Sequence, residues 1–149
     1  MRGMVVAFLL LQGCAAATPG TATGAQGDAV RIEADAEANG RRPVAVDVVR
    51  VSDAALAQRL ETLDAAGWFR ARAGLRREAG GRIAIASWEV VPGQTVALQN
   101  LPPYAATPVA TFVYALYAKP GAHRTRLAGA TPVSLRLGPD GFTAEGQSP

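Results

Sequence analysis

Chemistry needs nucleophiles, proton carriers or metal donors, and this sequence is poor in all three. Its one histidine, His123, follows a Pro-Gly turn, and its one cysteine, Cys14, stands near the start. A tetrahedral zinc site takes several Cys and His ligands, so no set can be assembled from one of each. The serines, Ser52, Ser87, Ser134 and Ser148, all lack the Gly-x-Ser-x-Gly setting of a nucleophile elbow. A hydrolase built on a serine, His123 and a carboxylate therefore needs a convergence in space that no spacing announces. Glu61, Asp64, Glu78 and Glu89 are available for a two-carboxylate site, but their intervals do not recommend one. No acidic run has calcium-loop spacing. Gly80-Gly81 leads into a strand pattern, so it is no phosphate cradle. The expectation is a non-enzyme with no metal, no cofactor and no small-molecule substrate.

Cys14 has a more definite context. Arg2 supplies a positive start, Met4 to Leu11 form an unbroken apolar run, and Gly13 is the small residue signal peptidases require. The run is too short for a transmembrane helix, which takes roughly 20 apolar residues. Leu11-Gln12-Gly13-Cys14 resembles a bacterial lipobox, with Gln12 at the variable position. That resemblance implies cleavage between Gly13 and Cys14, a diacylglycerol thioether on Cys14 and an N-acyl chain such as palmitate. The other reading is an ordinary secretory signal with an incidental cysteine. Two or three acyl chains hold a small protein on a membrane where one anchors only marginally. Ala15 follows, not the Asp that favours inner-membrane retention in enterobacteria, so the expected location is the periplasmic face of the outer membrane. Residues 1–13 are then a signal peptide. Residues 14–28, small and polar, read as a flexible tether averaging roughly 20 Å.

The elements that would position any site lie in 29–149, read as a single domain. The whole chain has 149 residues and a formal charge of +3, with no basic block interleaved with aromatics, so nucleic acid is not an expected partner. Without a second cysteine the fold rests on its core alone. From Val30, apolar residues alternate with charged ones to Glu37, a half-exposed strand. Asn39-Gly40 turns the chain, and Pro-Val-Ala-Val-Asp-Val-Val-Arg-Val over 43–51 is a second strand, its broken alternation at Val48-Val49 read as a bulge. The period then changes. Ser52 is placed to cap a helix, with Asp53 at its positive end, and Leu56, Leu60 and Leu63 form one stripe. Asp64 caps a second helix carrying Trp68, Phe69, Arg72 and Leu75, ended by Gly80-Gly81.

Strands resume over 82–91, 94–101, 108–118, 123–127 and 132–137, separated by Pro/Gly turns, with 108–118 apolar on both faces and so central. A polar tail follows Gly138-Pro139-Asp140-Gly141. The fold class is mainly β, a two-sheet β-sandwich with a short helical insertion packed at one edge, and an open α+β sheet is the alternative. Trp68 and Phe69 read as the contacts docking the insertion, the neighbouring arginines as solvated. Pro102-Pro103-Tyr104 reads as a stiff connection, His123 as a solvated strand start.

These parts together resemble a known family, the outer-membrane lipoproteins of type VI secretion systems (the TssJ type). The shared features are a lipobox, a small-residue tether, Asn39 near the end of the first strand and Pro43-Val44-Ala45-Val46 at the start of the next. A helical insertion, the Pro92-Gly93 turn and the late apolar strand Val-Ala-Thr-Phe-Val-Tyr-Ala-Leu-Tyr-Ala agree. The family's second strand usually continues Val-Arg-x-Tyr-x-Leu, where this chain has Val46-Asp47-Val48-Val49-Arg50-Val51. The resemblance implies a transthyretin-like β-sandwich that anchors a secretion complex. Its implied partner is the periplasmic domain of an inner-membrane TssM-type protein. It places Asn39, Arg41 and Arg42, in the loop over 37–43, at that contact. A pilotin-like or ligand-binding lipoprotein is the alternative and requires an apolar cavity lined by Leu56, Leu60 or Trp68.

Overall fold

The computed structural model describes residues 29–127 and 133–146. Among the described residues eight strands form two four-stranded sheets. In chain order they are β1 (Ala29–Ala34), β2 (Val44–Val51), β3 (Ile83–Val90), β4 (Thr95–Asn100), β5 (Ala110–Leu116), β6 (Arg124–Leu127), β7 (Val133–Leu137) and β8 (Phe142–Gly146). One sheet has the order β4-β1-β7-β8, the other β3-β2-β5-β6. β1 and β7 run parallel, and the remaining neighbours are antiparallel. Two helices, α1 (Ala54–Glu61) and α2 (Ala65–Ala79), lie between β2 and β3. The structure is a β-sandwich with a helical insertion.

Period-two patterning explains the inner core. Val30 and Ile32 of β1, Val44, Val46 and Val48 of β2, and Leu135 and Leu137 of β7 turn inward and are nearly inaccessible. Each such side chain contributes roughly 1.5–3 kcal/mol when fully buried. β2 has another apolar set on its opposite face. Val49 and Val51 meet Leu56 and Leu60 of α1 and Trp68 and Leu75 of α2.

This two-sided cover corrects two expectations. The Val48-Val49 doublet is no bulge, because β2 pairs residue by residue with both β3 and β5. Two buried valines in a row are simply the sandwich face and the helix face of one strand. The register shift occurs in β1, between Val30 and Ile32 opposite β4. The helices do not sit at an edge either; they cover the outer face of the sheet over its central strands β2 and β5. Tyr114 of β5 stacks on Trp68 at 4.9 Å between centroids, and its hydroxyl donates to the Leu60 carbonyl at 2.7 Å.

Local caps set the helix limits. Asp53, rather than Ser52, is the N-cap of α1, its carboxylate accepting from the Leu56 amide at 2.7 Å. Asp64 caps α2 as expected, accepting from the Gly67 amide at 2.6 Å. Another expectation fails at the far end of the chain. The segment read as a polar tail is strand β8, pairing with β7 from Leu137↔Phe142 to Val133↔Gly146. The turn before it is tight, closed by the Gly138 amide on the Gly141 carbonyl at 2.8 Å.

Candidate functional site

Antiparallel hairpins put alternate connections at opposite ends of a sandwich. β1 enters at Ala29 and leaves at Ala34, so its two ends are separated by about 20 Å. The pole where β1 begins also receives the 101–109 connection, the end of β2 and the C-terminal end of α2. The opposite pole collects the loops 35–43, 91–94, 117–123 and 138–141. Backbone hydrogen bonds knit these loops. The Gly93 amide reaches the Ala34 and Asp35 carbonyls at 3.1 Å, a turn made possible by φ +78° at Gly93. The Asn39 amide reaches the Gly138 carbonyl at 3.2 Å.

Asn39 organises this pole. It takes φ +50° within a short 3-10 turn at Ala38–Gly40, a conformation asparagine tolerates better than most residues. Its amide donates to the Pro43 carbonyl at 2.9 Å, and its oxygen accepts from the Ala118 amide at 2.7 Å. At 7% exposure, its side chain shapes the loop from inside. Gly40 and Arg41 continue the left-handed path at φ +59° and +64°. Such backbone costs a non-glycine residue roughly 1–2 kcal/mol. The Arg41 guanidinium then lies on Glu37, with Nη2 2.7 Å from Oε1 and Nε 2.8 Å from Oε2. Hydrogen bonding from Arg41 holds the Glu37 carboxyl below its ordinary range and raises the guanidinium.

Around Asn39 lies a cleft of about 330 Å³, lined by Glu37, Gly40, Arg42, Lys119 and Asp140 among others. Two ion pairs neutralise its neighbours, Lys119 with Asp140 at 3.2 Å and Arg136 with Asp35 at 3.0 Å. Arg42 is exposed and forms no ion pair among the described residues. The pole is thus a polar, shallow surface with one surplus guanidinium and a preset loop shape. Its cleft is open to solvent and bordered by charged side chains, a surface suited to docking a macromolecule through its rim.

The structure brings Asn39, Arg41 and Arg42 together on one loop and adds Lys119 and Asp140, whose sequence setting marks them only as turn residues. Their sole advance signal was position, since 118–121 and 138–141 end strands of the same direction sense as 35–43. His123 is not a solvated strand start. It is half-buried at φ +40°, stacks on Tyr117 at 4.7 Å and bonds through Nε2 to the Lys119 carbonyl at 2.7 Å. Among the described residues no serine hydroxyl bonds to it, and no cluster of His, Cys, Asp or Glu is disposed to hold a metal. Glu61 pairs with Arg126, Asp64 caps α2 and Glu78 pairs with Arg59, so these carboxylates do not converge.

Of the residues that a ligand-holding protein would use to line a cavity, Leu60 and Trp68 are inaccessible, packed under the helices. Leu56 borders a cleft of about 200 Å³ between the helices, which it shares with the charged residues Asp53, Arg59, Glu78 and Arg82. Trp68 docks the insertion, while Phe69 is half-buried under the Arg72 guanidinium at 4.8 Å. The 101–109 connection is pinned as a stiff link: Arg50 donates to the Pro102 carbonyl and the Tyr104 hydroxyl to that of Arg82, at 2.7 Å. Cys14, Gly13 and Ser148 lie outside the described residues. No helix among the described residues is long and apolar enough to cross a membrane.

Comparison with solved structures finds this sandwich in proteins from type VI secretion systems. The lipoprotein TssJ1 from Pseudomonas aeruginosa matches with TM-score 0.56 at 14% identity, over 83% of this chain and 98% of that one. Lip from Serratia marcescens, described as a membrane-bound component of the type VI secretion system, matches with TM-score 0.57 at 15% identity, over 82% and 97%. A chain of the structure described as the TssM C-terminal domain from EAEC matches with TM-score 0.56 at 19% identity, over 79% and 96%. No protein-family model matches the sequence, and no curated protein matches it. The fold is of the TssJ type.

Proposed function

We propose that this protein is a non-enzymatic component of a type VI secretion membrane complex, anchored by acyl chains on Cys14 to the periplasmic face of the outer membrane. With the opposite pole it binds the periplasmic domain of an inner-membrane TssM-type protein. One observation carries the reading: β1 begins at Ala29 at one pole, and the loop bearing Asn39, Arg41 and Arg42 lies at the other end of β1. A membrane tether at one pole leaves the other facing across the periplasm. The shared sandwich with TssJ1 and Lip supports the assignment to that machinery.

Arg41 and Arg42 are the expected contacts, since guanidiniums on a preset loop lose little freedom on binding. Asn39 serves by holding the loop. Two experiments test the two halves. Replacing Arg41 and Arg42 together by Glu is expected to weaken binding to the TssM-type periplasmic domain at least about tenfold by calorimetry. Unchanged affinity removes the loop from the interface. Cys14→Ser is expected to abolish labelled palmitate incorporation and move the protein to the soluble periplasmic fraction. Label retained on that variant overturns the anchor.

A further inference from the structure

The pole opposite the loops carries two exposed arginines that no carboxylate pairs among the described residues. α2 ends there, and a helix C-terminus presents unpaired carbonyls with partial negative charge. Arg82 already answers it, its Nε donating to the Ala79 carbonyl at 3.2 Å and Nη2 to that of Glu78 at 3.3 Å. The Glu78 carboxylate is neutralised by Arg59 at 2.9 Å. Arg76 and Arg77, one turn back on α2, are exposed and form no ion pair among the described residues. They stand in the last turn of α2, where their charge complements the helix dipole while their guanidiniums stay exposed.

Near the end of α2 the 101–109 connection offers an amphipathic group. The Tyr104 hydroxyl sits on the Arg82 carbonyl, and its half-buried ring lies under the Arg50 guanidinium at 5.3 Å. Exposed basic residues near a tyrosine are a combination that settles at a bilayer's headgroup region. Position selects the occupant. Ala29 is at this pole, paired with Asn100 at the end of β4, so the chain leading back to Cys14 joins the fold here.

We infer that Arg76 and Arg77, with Tyr104 near the end of the same helix, form a second membrane contact that binds anionic phospholipid headgroups and orients the domain on the bilayer. The inference rests on the anchored-lipoprotein reading for its geometry, because acyl chains on Cys14 would hold the start of β1, fifteen residues further on, near the bilayer. Acyl chains alone hold the domain near the membrane without setting its orientation. An arginine contact on the tethered pole turns the opposite loops outward.

The test uses the chain without its first thirteen residues and with Cys14→Ser, so that no acyl group contributes. It is sedimented with vesicles of phosphatidylethanolamine alone or mixed with phosphatidylglycerol. Pelleting is expected only with the mixed vesicles and should decline as salt rises. Arg76→Gln with Arg77→Gln should weaken it roughly 30-fold, while Arg41→Gln with Arg42→Gln on the far pole should leave it unchanged. Equal pelleting with neutral vesicles, no pelleting with anionic ones, or insensitivity to the Arg76/Arg77 exchange each overturns the inference. Binding of polyglutamate through Arg76 and Arg77 without vesicle binding reassigns the patch to an acidic protein. The acyl group plays no part in this assay, so its failure leaves the Cys14 anchor standing. Failure of the palmitate experiment in turn leaves the vesicle result interpretable.

Discussion

Asp47 occupies the helix-facing side of β2, with its side chain 1% exposed. One carboxylate oxygen accepts from the Trp68 indole at 2.8 Å, and the Arg72 guanidinium lies 3.0 Å away. This buried charge is tolerated because it is fully bonded, and among the described residues no buried side-chain polar atom lacks a partner. Asp47→Ala strands the indole N–H and is expected to destabilise the protein by about 2–3 kcal/mol in urea unfolding. Asp47→Asn keeps an acceptor for Trp68 and should cost about 1 kcal/mol. Trp68 was legible in the sequence as the residue that docks the helices; its partner was not. Within Val-Ala-Val-Asp-Val-Val, an aspartate reads as an ordinary outward position, and only the helices covering that face make it interior.

At the scale of elements, the misread β8 is instructive. Phe-Thr-Ala-Glu-Gly over 142–146 is short, with small and polar residues, and nothing in its own pattern demands a strand. It forms one because β7 would otherwise be an open edge beside the core. Phe142 supplies the apolar contact, packed partly into the inner core. Phe142→Asp is expected to undock β8 and lower stability by about 2 kcal/mol. Hydrogen exchange should quicken at the β7 amides while β2 stays protected. The opposite case is β5, whose apolar residues on both faces mark it as interior from the sequence alone. Val113 and Ala115 face the other sheet while Phe112 and Tyr114 face the helices. β2 carries the same double cover in weaker form, which is why its valine doublet resembled a bulge.

At the scale of the whole molecule, the loop pole is closed by Tyr117, whose hydroxyl donates to the Gly141 carbonyl at 2.8 Å. Burial pushes this phenol up from the usual 10 to about 12, with the nearby Asp35 charge adding to the effect. Burial raises Tyr114 as well. For a group whose folded value is raised, the stabilisation is complete below its unfolded value and is lost as pH rises through the folded one. The protein is therefore expected to lose stability between pH 10 and about 12. Thermal melts across that range, followed with tyrosinate absorbance, check this. Tyr117→Phe should flatten the part of the dependence due to the loop pole. Absorbance rising well before the fold melts would show the phenol to be open to solvent.

By itself the sequence determined what depends on neighbours along the chain. Helix and strand periods, the Asp64 cap, the Pro/Gly turns and the lipobox-like start are all written within a few residues of one another. The single cysteine and single histidine were likewise enough to turn attention from catalysis to surfaces. Only the tertiary structure decided which loops share a pole, because that follows from strand direction and pairing between distant segments. It joined Asn39 to Ala118 and Gly138, buried Asp47 beneath α2, and set Arg76 and Arg77 at the end where the chain enters β1. Period-two spacing says which residues lie on one face of a strand, but the identity of what covers that face is a long-range contact and leaves no local trace.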